Sequence, residues 1–266
     1  MVEAMLGRRE SVTVWNRTAA KARALEALGA RVVDTPEAAI QGAERIHMVL
    51  SDDEAVDAML ARLAPHLPPG SLVIDHTTTS PAGTAKRVPA ANANGHAFLH
   101  APVFMSPQMC RDAVGLMLAA GPGDVFERAR PALEKMTGEV WYVGDRPDLA
   151  AAYKIFGNSL LFVITAGLVD IMAMAKGVGV PAIDAARLFS KFKAGSIIPA
   201  RGERIASGDF TATFELTMAR KDIRLMIEAA AGQPLAVLPA IARRMDQAIA
   251  EGHGHEDMGS LAAPFL

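Results

Sequence analysis

Cysteine is almost absent from this chain of 266 residues: Cys110 stands alone, so no internal disulfide can form and a reducing compartment, the cytoplasm, is the expected location. Charge of one sign is also scarce, with 27 basic against 29 acidic residues and a formal net charge of −2. That balance gives nucleic acid or an anionic membrane surface nothing to hold. No N-terminal segment has the charged, apolar and small-residue succession of a secretory signal. The longest apolar run, Ser159 to Val169, stops at Asp170, short of a membrane span, and reads as a buried helix. Internal repeats and low-complexity linkers are missing as well. What remains is ordinary for a globular protein, 51% apolar and 21% charged, with length enough for one large domain or two smaller ones.

The chain changes character near Pro147. Before it, short strands alternate with helices of about ten residues. Strands are expected at Ser11–Trp15, Arg31–Val33, Arg45–Leu50, Ser71–Asp75, Ala97–Val103, Gly115–Ala120 and Glu139–Val143, and the first nine residues, MVEAMLGRR, read as the tail of an amphipathic helix. Thr35-Pro36 starts a helix with proline in its first turn, Ser51 and Glu54 form the S-x-x-E capping box of the next, and Ser80-Pro81 opens another. Such alternation predicts a parallel sheet covered on both faces. From Asp148 onward every segment reads as helix. The expected domains are therefore residues 1–146, α/β, and residues 147–266, all-α, beginning with a long helix.

Two features of this pattern carry chemistry. Lys154 is the one charge between Asp148 and Asp170, and Asn158 follows four residues later on the same helical face. Burial in that apolar run would lower the lysine pKa toward the range useful for proton transfer. At the end of the first strand stands Asn16-Arg17-Thr18, with no acid for a ribose 2′-hydroxyl but with an arginine suited to a 2′-phosphate, which favours NADP over NAD if the fold is dinucleotide-binding. Other strand ends supply Leu50-Ser51-Asp52, Thr77-Thr78-Thr79 and Phe104-Met105-Ser106.

In chain order, VTVWNRT-x-x-K, LVIDHTTTSP, FLHAPV, YKIFGNSL and FELTMARKDIRL resemble five segments of the β-hydroxyacid dehydrogenases, the family of 3-hydroxyisobutyrate dehydrogenase and tartronate semialdehyde reductase. The resemblance implies a Rossmann-type dinucleotide-binding domain followed by an all-α domain; an apolar helical half of about 120 residues seldom buries itself completely, so a homodimer formed through the helices is expected. It implies hydride transfer between NADP and a small β-hydroxyacid or aldehyde, with Lys154 as proton carrier and Asn158 orienting it or the substrate. It places Asn16, Arg17, Thr18, Leu50, Ser51, Thr78 and Lys221 against the cofactor, and Phe104, Met105 and Ser106 against the substrate together with Lys154 and Asn158.

The sequence departs from the family in two places. The opening strand and G-x-G-x-x-G loop are missing, so the Rossmann-type domain reads as N-terminally truncated and NADP binding is expected to be weak. The S-G-G of the substrate loop is replaced by Phe104-Met105-Ser106, the leading aspartate of D-A-P-V by His100, and the first asparagine of the lysine helix by Gly157. Substrate identity therefore does not carry over, and a bulkier or less acidic carbonyl, or an imine as in the related imine reductases, is as admissible as 3-hydroxyisobutyrate. A non-catalytic binding or assembly module is the competing expectation. The HGHED tail (His253 to Asp257) reads as a solvated turn, and Cys110 as an ordinary loop or core thiol.

Overall fold

The structure, a computed structural model, describes all 266 residues and divides into two compact units, Met1–Asn158 and Ser159–Leu266. The first contains α1 (Val2–Gly7), β1 (Thr13–Val14), α2 (Ala19–Arg23), β2 (Arg31–Val32), α3 (Pro36–Ile40), β3 (Arg45–Met48), α4 (Asp53–Leu63) and β4 (Leu72–Asp75). It continues with α5 (Pro81–Ala93), β5 (Ala97–His100), β6 (Val103–Phe104), α6 (Pro107–Asp112), β7 (Leu116–Ala120), α7 (Gly123–Leu133) and β8 (Glu139–Gly144). α8 (Leu149–Gly177) gives its first turns to this unit and the rest to the second, which holds α9 (Ala182–Lys191), α10 (Ile198–Ala206), α11 (Leu216–Ala229) and α12 (Leu238–Ala250).

Strand alternation sorts the first unit's core into two layers. Leu72, Ile74 and Leu99 face one way and pack with Phe126, Ala129 and Leu133 of α7. Val73 and Phe98 face the other way and meet Val56, Leu63 and Val88 of α4 and α5. Each such side chain, fully buried, contributes about 1.5–3 kcal/mol. The helix starts follow local chemistry: Thr35 and Ser80 accept hydrogen bonds from the backbone N–H of Ala38 and Gly83, each ahead of a proline. α4 begins one residue later than the S-x-x-E pattern suggests. Asp52 is its cap, accepting from Ala55 N at 2.9 Å, because a carboxylate competes better than a hydroxyl for that donor and complements the helix dipole.

The sheet departs from the expectation of a wholly parallel one. β3, β4 and β5 are parallel, as are β7 and β8, but β7 runs antiparallel to β5 and β6. The run expected as one strand from Ala97 to Val103 breaks at Ala101-Pro102, where proline offers no N–H to a ladder. Beyond that break the short α6 turns the chain back alongside β5 and β6 as a return, rather than carrying it over the sheet. β1 and β2 form a separate two-stranded parallel sheet, so β1 pairs only with β2 and β3 only with β4.

In the second unit α11 and α12 pack through Leu216, Ala219, Ile223, Ala242, Met245 and Ala248, spaced by three or four residues. Gly177, at the end of α8, lies so close to α11 that a Cβ there would come within 2.1 Å of the Ala229 carbonyl oxygen. Asp170 is 1% exposed and accepts from the backbone N–H groups of Ala236, Val237 and Leu238. Burial alone would raise its pKa, and the three donors outweigh that and hold it below the usual carboxylate range. Asp257 does the same for Thr213, Phe214 and Gly259 and is 5% exposed, so the HGHED tail is a buried clasp at that residue rather than a solvated turn.

α8 is not the buried helix its composition suggested. Phe156, Leu161, Phe162, Val163 and Val169 are each more than half exposed in the single chain. At 29 residues the helix is also long and apolar enough, by length and composition alone, to cross a membrane. Asp170 ends the apolar run but not the helix: three backbone donors satisfy its carboxylate within the second unit, and α8 continues to Gly177.

Candidate active site

The end of β1 forms the first part of the site. Asn16 Oδ1 accepts from Thr18 N at 2.8 Å, an Asx-type turn that leaves Arg17 projecting. Asn16, Arg17 and Arg23 line a cavity of about 180 Å³ together with Trp15, Val32 and Asp34. Two guanidinium groups at one small cavity suit a phosphate ester.

The ends of β3 and β4 are tied to each other. Leu50 N donates to Thr77 Oγ1 at 3.0 Å, and Thr77 N donates to Asp75 Oδ1 at 3.0 Å. Below them lies a histidine chain that sequence reasoning missed. His76 Nδ1 is 2.6 Å from Ala101 O, and His76 Nε2 is 3.0 Å from His47 Nδ1, with the two ring planes within 5° of each other. Because a carbonyl can only accept, His76 carries its proton on Nδ1, so His47 Nδ1 must donate to His76 Nε2 and both rings are neutral. Burial lowers the pKa of both rings, and His47 is brought down to about 3 by burial, His76 and Arg45 together. In the sequence His47 is one letter in an apolar strand, and nothing local announces a partner 29 residues away.

This chain makes folding pH-dependent. The unfolded histidines bind protons below about pH 6.5 while the folded ones do not, so stability is complete above 6.5 and falls as pH drops toward the lowered folded values. The slope approaches about 1.4 kcal/mol per pH unit for each ring. Urea unfolding at pH 6.5 and pH 5 is expected to show a loss of about 1–4 kcal/mol, and His47→Phe should reduce it. Equal stability at both pH values would refute the assignment.

Thr78 is exposed at the tip of this support, between buried Thr77 and Thr79, and free to meet a ligand. Leu50 is half-buried, whereas Ser51 and Ser106 are exposed. Ser106 is taken up as the N-cap of α6, accepting from Met109 N at 3.2 Å. His100 is fully buried with Nδ1 3.5 Å from Asp75 Oδ2, and it does not reach the surface of the site.

Lys154 is the reactive group the structure places best. It is 9% exposed on α8, and its Nζ donates to Asn158 Oδ1 at 3.0 Å. Burial pushes its pKa below the ordinary 10.5. Its ammonium also lies 4.1 Å from the centroid of the Phe104 ring. Phe104, Lys154 and Asn158 thus come together, as the sequence motifs implied. Lys221 belongs to the second unit, exposed on α11 and paired with Asp222 at 2.9 Å.

A dinucleotide fits part of this arrangement. Arg17 and Arg23 suit a 2′-phosphate, and Thr78 offers a hydroxyl at a strand end. Between the open edges of β1 and β3, where a pyrophosphate would rest on a glycine loop and a helix N-terminus, these residues supply neither.

Residues 1–144 match the profile of the NAD binding domain of 6-phosphogluconate dehydrogenase, and residues 149–265 match the NAD-binding profile of NADP-dependent 3-hydroxyisobutyrate dehydrogenase. The chain belongs to the β-hydroxyacid dehydrogenase family. By that membership it is an NAD(P)-dependent oxidoreductase with a Rossmann-like domain and a helical C-terminal domain. It is 28% identical over 262 residues to the uncharacterized oxidoreductase YfjR of Bacillus subtilis, covering 94% of this chain and 90% of that protein. It is 28% identical over 218 residues to the NAD-dependent L-serine dehydrogenase of Pseudomonas aeruginosa, covering 77% and 72%. It also spans 48% of the length of the cytokine-like nuclear factor N-PAC of Aedes aegypti, to which it is 25% identical. In fold it is similar to a reductive aminase from Aspergillus terreus, with a TM-score of 0.89 and 24% identity over 100% of this chain and 94% of that one.

Proposed function

We propose that this chain reduces a small carbonyl or imine carbon, or oxidises the corresponding alcohol or amine, with NADP preferred over NAD and with Lys154 as the proton carrier. A bound nicotinamide supplies or accepts the hydride. The chain's own residues handle the proton and the position. Lys154 Nζ holds the proton, and Asn158 Oδ1 fixes the ammonium by accepting one of its three hydrogens, leaving two to donate. As negative charge grows on the substrate oxygen, a preorganised ammonium in a partly water-excluded site stabilises it and then delivers the proton. The observation that carries this reading is the largely buried Lys154 bonded to Asn158 with nothing acidic to neutralise it.

NADP preference rests on Arg17 and Arg23 beside one cavity. An imine substrate is supported by the apolar Phe104 and Met105 where a carboxylate-binding loop was expected. Oxidation of NADPH at millimolar concentration against aldehydes, ketones and cyclic imines tests the reading; no turnover with any class would end it.

The exposed apolar surface of α8 supports a second copy as its cover, because a helix apolar nearly all round is stable in water only when packed. Light scattering is expected to give twice the chain mass, and Phe162→Glu to give a monomer. A monomeric parent protein would remove this proposal.

A further inference from the structure

Phe104 and Gly157 are in close contact across β6 and α8. Phe104 ends the two-residue β6, and its ring packs with Leu116, Val143 and Leu149 over the buried Leu118, Ala120 and Ala150. The same ring lies on Gly157. A Cβ built there would stand 2.3 Å from Phe104 Cζ and 2.6 Å from Cε1, distances no real methyl group tolerates. These are atoms of a ring held by its neighbours, so the conflict is not relieved by a flexible tip swinging away. Glycine inside a helix is unfavourable relative to alanine, and here the loss coincides with a contact that only glycine permits.

Gly157, Lys154 and Asn158 share one face of α8, so the ring seated on Gly157 also lies under the ammonium of Lys154. Its face carries the negative side of the aromatic quadrupole, which attracts the ammonium and repels a carboxylate. The adjoining loop residue, Met105, adds no donor. The two residues sit where this chain departs from the family's motifs, and they depart as a pair.

We propose that Phe104 and Gly157 form a single specificity element that selects uncharged, apolar carbonyl substrates over substrates bearing a carboxylate. The ring fills the space beside Lys154 from which a substrate carboxylate would be held, and Gly157 is the vacancy that lets it do so. This inference rests on Lys154 being the proton carrier, and it adds the substrate class.

Two measurements test it. The first needs no cofactor: thermal unfolding of Gly157→Ala, Phe104→Ala and the double variant. With the ring present, Gly157→Ala is expected to lower Tm by roughly 4–8 °C through overpacking. In the Phe104→Ala background the same change should leave Tm equal or raised, because alanine is the better helix former. Additive effects would overturn the coupling and the proposal with it.

The second compares butanal with succinic semialdehyde, which bears a carboxylate at the far end, at millimolar NADPH. The parent protein is expected to favour butanal in kcat/KM, and Phe104→Ser/Gly157→Asn to shift that ratio toward the acid by about tenfold or more. An unchanged ratio in a folded, active variant overturns the specificity element and leaves Lys154 in place. If the parent protein turns over neither aldehyde, the selection of apolar carbonyl substrates is overturned, even where the unfolding cycle shows coupling; the proton-carrier reading falls only if ketones and cyclic imines fail as well.

Discussion

Lys154→Ala is expected to lower kcat/KM for the best carbonyl substrate by about 10²–10⁴-fold, the usual loss when a positioned proton donor is removed. NADPH affinity should be unchanged, because none of the strand-end residues placed at the cofactor touches this side chain. Asn158→Ala should cost less, since it releases the Nζ–Oδ1 bond of 3.0 Å without removing the proton. The pH profile carries the sign. Reduction needs the protonated amine, so its rate should hold at low pH and fall as pH rises through a value lowered from 10.5 by burial; oxidation should show the opposite limb. Stability moves with the same group. Between the lowered folded pKa and 10.5 the unfolded chain holds more protons, so the cost of burying the charged lysine, fully present at neutral pH, is relieved as pH rises. Lys154→Met is therefore expected to be at least as stable as the parent at pH 7 while being inactive. A Lys154→Ala variant with parental turnover would remove the lysine from the mechanism.

NADPH is expected to bind this chain with a Kd no tighter than about 100 µM. Charge-assisted hydrogen bonds contribute about 1.5–3 kcal/mol each, and the loss of two or three at the pyrophosphate weakens binding by about 10²-fold or more. Arg17 and Arg23 can hold a 2′-phosphate, but the edges of β1 and β3 that would flank a central strand are unpaired. A strand–G-x-G-x-x-G–helix segment added ahead of Met1 is expected to pair with both edges and to tighten NADPH binding by about 100-fold or more, by placing a helix N-terminus at the pyrophosphate. Arg17→Ala in that extended protein should weaken NADPH while leaving NADH nearly unaffected. Fluorescence titration reads all three. Micromolar binding by the unextended chain would show that other residues hold the phosphates.

The sequence carried the periodic features of the fold, because strands and helices are set by local sterics and by side-chain alternation. The strand from Leu72 to Asp75, the proline-led helices after Thr35 and Ser80 and the all-helical second half are legible residue by residue. Lys154 and Asn158 were legible for the same reason, as any two residues four apart on a helix share a face. The Asx turn that projects Arg17 is likewise a matter of three adjacent residues.

What needed tertiary structure is what depends on register between distant segments. The return through α6 sets β7 antiparallel to β5, and no short window of sequence says which neighbour a strand will find. The direction of the hydrogen bond from His47 to His76 follows from the Ala101 carbonyl, at the break that follows β5. Exposure of α8 cannot be read from its composition, since an apolar helix reads the same whether its own chain or another covers it. Sequence alone determined that a lysine and an asparagine stand together on an apolar helix. Only the folded chain put the Phe104 ring beneath that lysine and against Gly157, because a close approach between two elements is decided by packing.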